Sequence, residues 1–234
     1  MTISSILTKH FPKYEITIPS TGESVWFRPF LVKEEKKLLI VQEFGTEKEI
    51  IKAIIETLES CFEYNKIHKL PIFDIEYLFI QLRSKSIGSL MSPTITCPYT
   101  QEAIEISIDL NELNVIFNET HSKIIELGHN TQLKMKYPSI DILVNSAIKT
   151  SDESIYKIAL YCMDTIQTDT ELINCELQNK EELEEFLDNM SASQFEKVTH
   201  FFNTMPKIEK TITYITSDSI SRTITLKGIR DFFF

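Results

Sequence analysis

The tetrad Cys97-Pro98-Tyr99-Thr100 is the first place where residue types could support chemistry. A tetrahedral zinc site takes four Cys or His ligands, and its common knuckle is Cys-x-x-Cys. Here the second ligand position is Thr100, and no second pair follows. His121 and His129 lie downstream but complete no pattern. A structural turn is the better reading. The five histidines, His10, His68, His121, His129 and His200, stand outside any acid–base or nucleophile motif. The carboxylates Glu181, Glu182, Glu184, Glu185 and Asp188 interleave with Leu183, Phe186 and Leu187, which makes them the solvated face of a helix rather than a catalytic pair. Phosphate-cradling loops, dinucleotide fingerprints, nucleophile elbows and His-Glu-x-x-His helices are absent, so no cofactor is implied.

Three features point instead to contact with a partner. Arg83-Ser84-Lys85-Ser86 is a short basic patch that either binds an anion or caps a helix C-terminus, with the cap favoured because cations there oppose the dipole. Trp26 is the one tryptophan, a core residue by default and otherwise an interface anchor. Phe232, Phe233 and Phe234 either fold into the chain's own core or dock on a partner, since three exposed rings are costly on a soluble monomer.

Bulk properties narrow the partner. The formal charge of -10 and the lack of a Lys/Arg cluster argue against nucleic acid. The longest apolar runs fall short of the ~18 residues needed to span a membrane. Cys61, Cys97, Cys162 and Cys175 are too widely spaced for a disulfide framework, which fits free thiols in a reducing cytoplasm. No secretory leader is legible at the N-terminus.

The elements that must position these residues follow from periodicity. Residues 14–29 read as two strands around Pro19-Ser20-Thr21-Gly22. Residues 32–85 read as helical, with a capping box at Thr46 and Glu49 and an apolar stripe through Ile50, Ile51, Ile54, Ile55, Leu58, Cys61 and Phe62. Pro71 opens the next helix, whose buried face is Ile75, Leu78, Phe79 and Leu82. Ile104, Ile106, Ile108 and Leu110 alternate with polar residues, as do Leu133, Met135 and Tyr137, which predicts a half-exposed antiparallel sheet. Helices return over 139–205 with caps at Thr150, Asn179 and Ser191 around a short hairpin at 163–176, and a final hairpin covers 212–226. The class is α+β: helical lobes with small antiparallel β-sheets and a C-terminal β-hairpin. The expected segments are an N-terminal β segment at 1–31, a helical lobe at 32–91, an antiparallel β insertion at 92–137, a second helical lobe at 138–206, and a C-terminal hairpin with hydrophobic tail at 207–234.

One stretch is more specific. Leu70-Pro71-Ile72-Phe73-Asp74-Ile75-Glu76-Tyr77-Leu78-Phe79 runs into Gln81-Leu82-Arg83-Ser84-Lys85-Ser86-Ile87-Gly88. The Pro-Ser-Thr-Gly turn, Phe27-Arg28-Pro29-Phe30, Lys33-Glu34-Glu35-Lys36 and Leu38-Leu39 precede it, and Met135-Lys136-Tyr137-Pro138 follows a Cys-containing β segment. In this order the elements resemble the baseplate hub and hub-assembly protein family of T-even-type phages, over roughly residues 14–205.

The resemblance implies a non-enzymatic hub protein in the virion tail baseplate, assembled in the host cytoplasm through contacts with other hub proteins. A transient assembly chaperone absent from the virion is the alternative. A tail-associated hydrolase is the weaker one, because no carboxylate pair or nucleophile with its base is singled out. The resemblance also implies a paired-cysteine turn beginning at Cys97, in which this sequence has Thr100 in place of the second cysteine. The expected partner-binding residues are Trp26, Arg83, Lys85, Phe232, Phe233 and Phe234, and self-association is left open.

Overall fold

A computed structural model describes residues 11–140, 142 and 152–233. The chain divides into two compact units, one of residues 1–116 and 207–234, the other of residues 117–206. The boundary at 116/117 runs through the segment 92–137, and the C-terminal hairpin belongs to the first unit.

The first unit opens with strands β1 (Tyr14–Thr17) and β2 (Ser24–Phe27), paired antiparallel with Tyr14 opposite Phe27. The helical run predicted over 32–85 is three helices: α1 (Val32–Phe44), α2 (Glu47–Cys61) and α3 (Ile72–Ser86). Gly45 ends α1 with its amide on the Val41 carbonyl at 2.8 Å. A Cβ at Gly45 would lie 2.5 Å from that same oxygen, so any larger residue would push the turn open. The capping box at α2 forms as read: the Glu49 amide reaches Thr46 Oγ1 at 3.4 Å, and the Thr46 amide reaches the Glu49 carboxylate at 2.7 Å. In α3, Ile75, Leu78, Phe79 and Leu82 are all buried, as their spacing requires.

The segment 92–137, read as one sheet, is divided instead. Strands β3 (Leu90–Met91) and β6 (Ile108–Asp109) form one short pair, and β4 (Thr94–Thr96) and β5 (Ala103–Glu105) another. The alternation at Ile104, Ile106 and Ile108 persists because all three point into one core, while the hydrogen-bond partner changes along the strand. That core joins Ile80, Ile106, Ile108 and Leu110 to Ile208, Leu226 and Phe232. The last three come from strands β11 (Glu209–Ile215) and β12 (Ser221–Lys227) and their flanks, including helix α7 (Gly228–Phe233). The tail is thus a helix, which its six residues were too few to announce by periodicity.

In the second unit, strands β7 (Ile124–Gly128), β8 (Thr131–Met135), β9 (Met163–Gln167) and β10 (Leu172–Asn174) form an antiparallel sheet in the order β10-β9-β8-β7. The hairpin expected at 163–176 is its β9–β10 half. Helices α4 (Asp152–Cys162), α5 (Lys180–Asp188) and α6 (Ala192–Thr204) accompany it. Leu133, Met135, Cys162, Met163, Val198 and Phe201 are the centre of its core. Ser191 and Gln194 form a full capping box. Asn179 sits at the N-cap of α5, but its side chain donates to the Glu182 carboxylate at 3.4 Å rather than accepting a backbone amide. The cap expected at Thr150 lies outside the described residues.

Candidate functional site

Cys97 is fully buried at the start of a tight turn between β4 and β5. Its amide donates to the Glu102 carbonyl and its carbonyl accepts from the Gln101 amide, both at 2.9 Å, with Gln101 in the left-handed region at φ 59°. Burial pushes the thiol up, but hydrogen bonds from Thr100, Tyr214 and the Tyr99 amide outweigh it and bring the thiol to about 7. The Tyr214 hydroxyl donates to the sulphur at 3.6 Å. The Thr100 hydroxyl is buried without a partner of full hydrogen-bond geometry, so the amides and Tyr214 are the firmer part of this pull. Among the described residues, no three of His, Cys, Asp and Glu are grouped to hold a metal ion. The turn is a clasp. Glu102 accepts from the Ser217 amide at 3.1 Å at the tip of the β11–β12 hairpin, and Arg222 lies 5.4 Å from the centre of the Tyr99 ring. Arg222 also pairs with Asp218 at 2.6 Å, which holds that carboxyl well below its usual range.

The block 70–88 is wired throughout the first unit. The buried Asp74 accepts from the Ser20 amide at 3.0 Å and from the Ser20 hydroxyl, which ties the Pro-Ser-Thr-Gly turn to the first turn of α3. Ser84 donates to Asn111 at 3.0 Å, and Ser86 accepts from the Phe30 amide at 3.0 Å. Glu76, mostly buried, accepts from the Ile229 amide at the start of α7, and burial raises its carboxyl to about 7. These side chains face inward, so most of the block is architectural.

The expected partner-binding residues separate accordingly. Arg83 is half-buried and its guanidinium reaches the Gly88 carbonyl at 3.5 Å, beyond the end of α3, as a C-terminal cation should. Lys85 is exposed, 5.8 Å from the centre of the Tyr14 ring. Trp26 is 45% exposed on β2. Phe232 is only 1% exposed and packs in the core with Ile208 and Leu226, so its ring is committed to its own chain. Phe234 and the side chain of Phe233 lie outside the described residues. Among the described ones, Arg83 and Phe232 line one groove and Lys85 lines another.

The surface that stands out was not read from the sequence. In the 13-residue helix α1 the one buried side chain is Glu34. Its carboxylate accepts from the Leu31 amide at 2.8 Å and pairs with Arg28 at 3.1 Å. Burial raises its pKa, yet the Leu31 amide and Arg28 more than offset it, and the group stays ionised below its ordinary value. Four of its six apolar residues face outward: Val32 is 78% exposed, Phe44 77%, Leu39 56% and Ile40 51%. Beside them lies a groove of about 590 Å³, walled by Phe30, Leu38, Leu39, Phe79, Ile87 and Leu90. The signal in the sequence was a negative one. The apolar residues of 32–44 surround the helix instead of forming a single stripe, a pattern of helices covered on more than one side.

An α+β chain whose most distinctive block is architectural, and which sets four exposed apolar side chains on one helix, has the build of a protein that presents a surface to other proteins. A family model described as T4 bacteriophage base plate protein matches residues 11–234, and the chain belongs to that family, which makes it a phage baseplate component. Neither a curated protein nor a solved structure matches it.

Proposed function

We propose that this chain is a non-enzymatic protein of the baseplate hub of a contractile phage tail, acting in hub assembly through protein–protein contacts. The observation that carries this reading is the outward apolar face of α1 with its neighbouring groove. Exposed, clustered apolar side chains on a small acidic protein are stable in solution only at a cost, and that cost is recovered when a neighbour covers them. Charged rims then set register and suppress wrong partners. The reading places the protein in the virion tail, after assembly in the host cytoplasm.

Quantitative mass spectrometry of purified particles tests it. A fixed small copy number relative to known tail proteins is the expected result. Absence from particles with abundance in the infected-cell lysate would replace the structural subunit by a released assembly factor. Release of soluble fragments from purified peptidoglycan by the isolated protein would overturn the non-enzymatic part.

A further inference from the structure

Helix α1 has two sides of opposite logic. Glu34, Leu38 and Val41, at i, i+4 and i+7, turn towards the protein and are buried or half-buried. Val32, Lys36, Leu39 and Glu43, at i, i+4, i+7 and i+11, form the opposite stripe, flanked by Ile40 and Phe44. The four apolar members of this face are each at least half exposed. Lys37, on the flank towards α2, is already paired with Glu56. Lys36 and Glu43 have no ion-pair partner among the described residues.

The order of charges along this face decides what can cover it. Lys36 lies towards the N-terminal end, Glu43 towards the C-terminal end, and the Leu39–Ile40 ridge lies midway between them. Two copies of the helix related by a two-fold axis perpendicular to it run antiparallel, and the axis passes through the point where a residue meets its own copy. With the axis between Leu39 and Ile40, each Lys36 stands opposite the Glu43 of the other copy. Two opposite-charge pairs then flank one apolar centre. A parallel arrangement would set Lys36 against Lys36 and Glu43 against Glu43, which is repulsive at both ends.

From this self-complementarity we infer that the outer face of α1 pairs with the same face of a second copy of this chain, antiparallel and centred on Leu39 and Ile40. The inference deepens the reading of α1 as a contact face and rests on it. One helix face is smaller than the roughly 800 Å² per partner of a standard interface. The pair is therefore a reversible dimer of micromolar strength, suited to a building block whose contacts are completed by further neighbours.

The test is sedimentation velocity of the full chain from about 1 to 300 μM. The expected result is a concentration-dependent shift from monomer to dimer. Lys36→Glu alone, or Glu43→Lys alone, places like charges together twice across the axis and weakens the dimer by roughly tenfold or more. The double variant Lys36→Glu/Glu43→Lys restores the alternation and returns the affinity to within about threefold of the original. Both positions are exposed, so circular dichroism should show every variant folded. A chain that stays monomeric throughout, or a dimer indifferent to the single exchanges, overturns the pairing. Copy number in particles is read independently, so a monomeric chain at fixed stoichiometry would remove the self-pairing and leave the hub reading in place.

Discussion

Glu76 shows how a motif residue acquires a property that no local pattern reveals. Its neighbours in sequence mark it only as part of a helix, yet burial raises its carboxyl from 4.5 to about 7, partly offset by the Ile229 amide. The folded state therefore holds this proton more tightly than the unfolded chain. The stabilisation is fully present below about pH 4.5 and is lost as pH rises through about 7. Glu76→Gln, which stays neutral, should gain stability relative to the natural chain between pH 5 and 8. The gain should be at most a few kcal/mol, read as the difference in urea midpoints. Parallel pH profiles would exclude the assignment. Asp74 is a second case. Ser20 binds it from 54 positions away, so the two halves of the family pattern are one contact in space that spacing alone does not disclose. Asp74→Ala leaves the Ser20 hydroxyl and amide facing a cavity, and a loss of about 2–4 kcal/mol is expected by chemical denaturation.

At the scale of elements, legibility tracked how local the physics is. The capping boxes at Thr46 and Ser191 and the buried stripes of α2 and α3 depend on residues within one or two turns, and they were read correctly. The strands of 92–137 depend on partners elsewhere in the chain, so their alternation was visible but their division among three sheets was not. Helix α7 was missed because six residues opening on Gly228 carry no period. There Gly228 adopts φ +66°, and a Cβ would lie 2.8 Å from Glu76 Oε1. The contrast between two caps gives a test. Ser191 accepts a backbone amide, whereas Asn179 spends its amide group on Glu182. Ser191→Ala should cost about 1 kcal/mol and Asn179→Ala clearly less. Equal losses in denaturation midpoints would show that Asn179 caps its helix in solution.

For the whole molecule, charge is distributed very unevenly. Residues 117–206 carry seven Lys and Arg against fifteen Asp and Glu, while the other unit carries 17 against 19. The second unit thus holds -8 of the net -10. Self-repulsion of this kind lowers the stability of a compact body and is screened by salt. Hydrogen exchange should accordingly slow in core amides of the second unit when ionic strength rises from about 10 to 300 mM, with a much smaller change in the first. A uniform response would show that the net -8 is spread too widely over the second unit for self-repulsion to weaken it. The imbalance was present in the sequence from the start, but it acquires meaning only once the boundary at 116/117 is known.

That boundary is held by Ile116 and Lys207, which exchange backbone hydrogen bonds of 2.8 and 3.3 Å. The 90 intervening residues leave and return at one antiparallel bridge. During synthesis from the N-terminus, 117–206 therefore emerges whole before the first unit can close. That unit's core still waits for Ile208, Leu226 and Phe232, the last parts of it to leave the ribosome. The body that begins first is finished last, and until then Ile80, Ile106 and Ile108 lack their cover. The nascent chain thus carries a completed acidic module while the unit bearing α1 is still open.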